Sequence, residues 1–252
     1  MVRDMGLWQN LLPKLSIKNI FILVAVVAIT GCMSSESVKS RLNLKADNSY
    51  KSENINLLPK YGLHPKTPAQ KRADDKFLKT MDDSFNGDRE KAAEAGASIG
   101  WKYLRKGEPK TAIRRFNQAW MLDQSNGSAI WGMAAYMGSK GKYVQSFELF
   151  EEAKKYMVDD VNFLVDYART VGFAGIELKN DRYIQRALSS FETLYEREPR
   201  HTLNIQNWAI VLYYMGNYSE AWKKIELAEK TPRNREIDQN FVKKLEMKMS
   251  RP

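Results

Sequence analysis

Three glycines constrain this chain more than any other feature. Gly107 lies in "RKGEPKTAIRRFNQAW", Gly141 follows 34 residues later in "SKGKYVQSFELFEEAK", and Gly216 lies 75 residues beyond that in "YMGNYSEAWKKIELAE". The second interval is two 34-residue periods plus seven. The same company surrounds each glycine: Gly100, Tyr103, Ala112, Phe116 and Ala119; Ala134, Met137, Ser146, Phe150 and Ala153; Ala209, Leu212, Ala221, Ile225 and Ala228. A small residue on each of two successive helices lets the pair approach closely, and the larger residues fill the interface with the next pair. The glycine closes the first helix because it accepts a left-handed backbone. A chain with this period stacks helical hairpins.

The pattern of small residue, aromatic, turn and Ala-x₃-Phe resembles the tetratricopeptide repeat (TPR) over residues 93–235, read as 93–126, 127–160, 161–201 and 202–235. That resemblance implies an all-α solenoid of helical hairpins. Its departures are Gly96 in place of a large residue, Pro109 in place of a turn aromatic, and Gln124 and Val158 in place of closing prolines. The third unit is irregular. Ala187, Phe191 and Pro199 match its second helix, but "NFLVDYARTVGF" from Asn162 sits seven residues early. The surplus extends a helix or forms a loop over 172–181, and Gly172, Gly175 and Asn180 favour the loop.

Two helices flank the array. Thr67-Pro68-Ala69-Gln70 predicts a capping box that opens a leading segment over 67–92, with Phe77, Leu78 and Met81 as its apolar contacts. Ile237, Phe241, Leu245 and Met249 recur every fourth residue and predict a capping helix within 236–252.

Ahead of all this, Arg3, Lys14 and Lys18 precede an uncharged run, "IFILVAVVAI", at 20–29, and then Thr30-Gly31-Cys32. A positive start, an apolar centre and small residues make a secretory signal. The run is shorter than the ~20 apolar residues that cross a bilayer. Ile29-Thr30-Gly31-Cys32 resembles the bacterial lipobox, which implies a signal peptide over 1–31, cleavage before Cys32 and acylation of its thiol. Two or more acyl chains anchor stably where one does not. The resemblance further implies an extracytoplasmic, lipid-anchored protein, at the outer membrane if the host is Gram-negative, since no aspartate follows the cysteine. Residues 32–66, rich in Ser, Asn, Lys and Glu, read as a flexible tether with an r.m.s. reach of about 30 Å.

No catalytic constellation is present. Cys32 is the single cysteine, and His64 and His201 have no thiol partner, so no metal site and no cofactor are expected. Tyr143 stands where a phosphate loop needs Ser or Thr beside Lys142. The chain is therefore expected to bind rather than catalyse.

In TPR superhelices the first helix of each unit lines a concave groove. By position this implies Trp101 and Arg105, Trp131 and Ala135, Arg169, and Gln206, Tyr213 and Tyr214 as the lining for a protein partner, an aromatic and basic set of the type enriched at binding hot spots. Packing between helices accounts equally well for each of these positions. The expected function is an envelope adaptor or scaffold, in assembly of a pilus or secretion complex among other possibilities. The alternative is docking on anionic lipid or cell-wall polymer through Lys223, Lys224, Lys230, Arg233, Arg235, Lys243, Lys244 and Lys248. Net charge is +10, but no long one-sign block occurs, and no nucleic-acid partner is expected.

Overall fold

In the computed structural model, which describes residues 54–252, the Thr67 hydroxyl accepts the Gln70 amide at 3.3 Å and the Gln70 side chain accepts the Thr67 amide at 2.8 Å. That reciprocal cap starts α1 (Pro68–Phe85), whose Phe77, Leu78 and Met81 pack against a cluster built on Ala92, Ala93 and Ala97. The expected signal peptide, Cys32 and the expected tether up to residue 53 lie outside the described residues.

Four antiparallel hairpins follow. They are α2 (Arg89–Arg105) with α3 (Pro109–Leu122), α4 (Gly127–Ser139) with α5 (Tyr143–Ala153), α6 (Val161–Glu177) with α7 (Asp181–Arg197), and α8 (Thr202–Tyr214) with α9 (Tyr218–Glu229). Every first helix is capped by a side chain: Asp88, Asn126, Asp160 and the His201 ring each accept an amide of the first turn. Helix α2 starts at Arg89, four residues before the repeat boundary read from the sequence. Pro109, the odd residue at the first turn, stands at the first position of α3, where its missing N–H costs nothing. The chain is a TPR helical solenoid.

The turn glycines behave as the period requires, with φ of 75° at Gly107, 72° at Gly141 and 79° at Gly216. The third hairpin has Lys179 at the equivalent place, with φ of 50°. Gly141 to Lys179 spans 38 residues and Lys179 to Gly216 spans 37, so the surplus of seven divides into four and three. No loop forms. Both α6 and α7 run for 17 residues, against 13 in α4 and 11 in α5, so the surplus lies within helix. The two glycines that favoured a loop instead permit close contact: a Cβ on Gly172 would meet Val211 at 2.7 Å, and one on Gly175 would meet the Ile184 backbone nitrogen at 2.8 Å. They are glycine because another helix passes there.

A second departure concerns the tether. Its last part, from Asn54, is a built strap of two 3₁₀ turns, Ile55–Leu57 and Pro59–Leu63, laid across the second helices of the first two hairpins. Leu58 and Tyr61 are buried. Lys60, Tyr61, Gly62 and Leu63 all have positive φ, between 53° and 66°. For the three that carry a Cβ this costs ~1–2 kcal/mol each. Asn117 of α3, fully buried, holds the strap by its main chain. Its side-chain N–H₂ donates to the Leu58 carbonyl at 2.9 Å and the Asn56 carbonyl at 3.2 Å, and its oxygen accepts the Lys60 amide at 2.8 Å. The Lys60 ammonium pairs with Glu152 of α5. Lys66 pairs with Asp74 of α1 and lies 3.7 Å from the centre of the Tyr61 ring. Burial pushes the Tyr61 hydroxyl well above its usual pKa, and the Asp74 carboxylate adds to this. The strap thus ties α1, α3 and α5 together.

The far end closes as the periodicity predicts, in a shorter form. Helix α10 (Gln239–Glu246) lays Phe241 and Leu245, with Ile237 just before it, on the core of the last hairpin. Met249 lies beyond the helix and is 37% exposed, and its carbonyl accepts the Trp222 indole N–H at 2.9 Å.

Candidate functional site: the inner face of the array

Consecutive first helices (α2, α4, α6, α8) pack on one another, whereas consecutive second helices share no comparable contact among the described residues. The array therefore curves with its first helices on the inside, and their remaining free faces form a groove.

Helix α2 brings Trp101 to that surface. Its indole N–H donates to Ser128 of α4 at 3.0 Å, and its ring sits 4.6 Å from that of Trp131 and 5.4 Å from Phe116. Trp131 repeats the arrangement one helix on, donating to Asp166 of α6 at 3.2 Å with its ring edge-on to Phe163 at 5.7 Å. Both indoles are half-buried and bridge adjacent first helices, so each is a packing group whose exposed edge also lines the groove. Asp166 in turn lies 3.6 Å from Arg169. Burial raises the Asp166 carboxyl above its ordinary pKa, with the Arg169 charge and the Trp131 N–H acting against the shift. Arg105 is exposed on the last turn of α2.

On α8 the expected lining divides. Tyr214 is 54% exposed and meets Phe173 edge-on at 5.2 Å. Gln206 does not line the groove: it is 6% exposed, and its side-chain oxygen accepts the Asp238 amide at 2.6 Å. Tyr213 likewise packs on the cap, edge-on to Phe241 at 5.6 Å. These two share the face of α8 that the cap covers, about 80–100° round from Tyr214.

Two groove residues escape a sequence reading. Phe173 falls on the same face of α6 as Asn162, Asp166 and Arg169 by i, i+4, i+3, i+4 spacing, and Tyr143 stacks on it at 4.7 Å with the rings 17° apart. The spacing was the available signal, and the neighbouring glycines masked it. Tyr143, Phe173 and Tyr214 thereby make a continuous aromatic ladder across α5, α6 and α8.

A cleft of about 340 Å³ opens beside the α7–α8 turn, lined by Glu198, Arg200, His201, Leu203 and Arg233 among others. Three of the carboxyl-terminal cations have partners: Lys223 with Glu220 and Arg233 with Glu236 in exposed pairs three residues apart, and Lys224 3.4 Å over the Trp208 ring. Burial lowers the pKa of Lys224. Among the described residues no group of three or more His, Cys, Asp or Glu side chains is placed to hold a metal, and no helix is long and apolar enough to cross a membrane.

At the level of sequence, no family pattern and no curated relative matches this chain. The fold does match solved structures. A thermophilic TPR protein of Thermus thermophilus superposes with a TM-score of 0.55 at 15% identity, covering 63% of this chain and 84% of that one. YrrB, described as a TPR protein with an unusual peptide-binding site, gives 0.46 at 18% identity over 69% of this chain and 86% of its own. Pseudomonas aeruginosa pilF gives 0.46 at 20% identity over 58% of this chain, which spans 64% of pilF. At 15% identity the likeness to the Thermus thermophilus protein shows the fold alone.

Proposed function

We propose that this protein is a lipid-anchored adaptor of a bacterial cell envelope that holds a protein segment in the groove of its first helices. The observation that carries the groove is its open lining of Trp101, Arg105, Trp131, Arg169, Phe173 and Tyr214 along a face that neither the strap nor the carboxyl-terminal cap covers. The anchor rests on the lipobox at Cys32, which supports a groove outside the cytoplasm and within reach of the membrane. A fixed strap and a fixed cap with an open groove between them suit a scaffold in the assembly of a larger envelope complex, such as a pilus or secretion machine.

Crosslinking in cells followed by mass spectrometry of copurifying proteins tests the reading. A partner captured through the groove, resistant to high salt and lost on Trp101→Ala with Tyr214→Ala, supports it. A protein that captures no partner yet binds anionic vesicles in a salt-sensitive manner replaces it with membrane docking. The anchor is tested separately: Cys32→Ala must abolish processing and membrane retention, and unchanged fractionation refutes that part alone.

A further inference from the structure

The groove is not chemically uniform along its length. At one end the free face of α2 carries Glu94, Ser98, Lys102 and Arg105, and the last two are exposed and make no ion pair among the described residues. Lys106, also exposed, follows at the turn. In the middle, α4 offers little besides Trp131, and α6 offers Asp166 already beside Arg169. At the other end no cation lies on the free face of α8. Leu203, Ile210 and Tyr214 share it, and Phe173 with Tyr143 continues it onto α6 and α5. Unpaired cations are concentrated at the α2 end, and rings line the whole length, from Trp101 and Trp131 to Phe173 and Tyr214, on one continuous inner surface.

We propose that the groove takes a peptide segment in two chemical halves, with acidic side chains against Lys102 and Arg105 on α2 and aromatic or large aliphatic side chains against Phe173 and Tyr214 on α6 and α8. This rests on the groove reading above and adds the chemistry of its occupant. Unpaired cations at a groove end select carboxylates and reject cations. Rings whose faces are already ordered by one another accept further rings with little added loss of freedom. The dimensions agree: three steps between neighbouring helices at about 9–10 Å give roughly 30 Å, the length of about nine extended residues.

The test measures fluorescence anisotropy of labelled peptides with the full chain in detergent micelles. The probe is Asp-Glu-Asp-Gly-Ser-Gly-Phe-Leu-Phe, together with its reversed sequence because either chain direction places the halves correctly. Analogues carry Asn-Gln-Asn or Lys-Lys-Lys in the acidic half, or alanines in the apolar half. One direction of the parent peptide is expected to bind, and the neutral analogue to bind about tenfold more weakly, the scale of two or three partly exposed ion pairs. Lys102→Glu with Arg105→Glu is expected to reverse the preference, so that the Lys-Lys-Lys analogue binds better than the parent. A merely structural role for those side chains does not produce that exchange. Tyr214→Ala is expected to weaken every peptide that keeps its apolar half. Equal binding of acidic, neutral and basic analogues, lost on Tyr214→Ala, overturns this inference and leaves the groove standing. Binding of no peptide in either direction overturns both.

Discussion

Among the described residues, left-handed backbone falls in the turns between helices, Asn86 and Gly87 after α1 included, and in the strap, and it is held in two different ways. In the turns between paired helices it falls mostly on Gly107, Gly141 and Gly216, where it needs no support from elsewhere. In the strap it falls on Lys60, Tyr61 and Leu63 as well as Gly62, and is held by Asn117, 57 positions from Lys60, and by Glu152, 92 positions from it. The turns are encoded locally, and the strap is imposed by tertiary contact. Lys179 stands between the two cases, a turn residue without the glycine. The contrast teaches that the strap is conditional on its seat, while the turns form wherever the helices do.

The largest expected effect follows from removing the seat. Asn117→Ala leaves the Leu58 and Asn56 carbonyls and the Lys60 amide without their shared partner, and the loss is ~2–3 kcal/mol in the stability of the strap region. Hydrogen exchange is the measurement. The amides of 57–64 should exchange far faster in the variant, while those of α6 to α9 keep their protection. A Lys60 amide equally protected in both proteins would show that the strap forms without Asn117, and the contrast with the turns would collapse.

Next in size is a glycine that does not serve a turn. Gly175→Ala sets a Cβ 2.8 Å from the Ile184 backbone nitrogen, an atom that cannot swing aside. Overpacking of this type costs ~1–3 kcal/mol, set against about 1 kcal/mol gained from the better helix former, so a net loss of up to ~2 kcal/mol is expected in urea unfolding. Stability raised by the substitution would mean that α6 and α7 have room to separate. Gly141→Ala has open space around its Cβ but φ of 72°, and about 1 kcal/mol of backbone strain is expected instead.

This division also decides what was legible beforehand. The capping box at Thr67 and Gln70, the turn glycines and the apolar contacts of α1 are set by neighbours in the chain, and each stands in the structure as the residues imply. Helical position alone was enough to place Trp101, Trp131 and Arg169 on the inner face of α2, α4 and α6. It failed on α8 at Gln206 and Tyr213, because the segment that covers them arrives some 30 residues later in the chain. Phe173 was lost to the habit of reading Gly172 and Gly175 as turn formers, when both are close-contact positions. The strap was illegible for the same reason it is interesting. Its composition is that of a linker, and contacts from other helices order it, the buried Asn117 and the Glu152 carboxylate among them.

The smallest effect carries the opposite sign and probes the intermediate case. Lys179 is exposed with φ of 50°, follows the one first helix of a hairpin whose turn lacks glycine, and its amide makes the ordinary backbone bond to the Ile176 carbonyl. Lys179→Gly relieves ~1–2 kcal/mol of left-handed strain, while the added freedom of glycine in the unfolded chain takes back about half of that. A net gain of ~0.5–1 kcal/mol is expected in urea unfolding. If the gain appears, the third turn differs from its neighbours in residue alone and its backbone is dictated by the hairpin. If Lys179→Gly destabilises, the lysine side chain is itself part of what holds the lengthened α6 and α7 together, and the third hairpin belongs with the strap among the regions built by distant contacts.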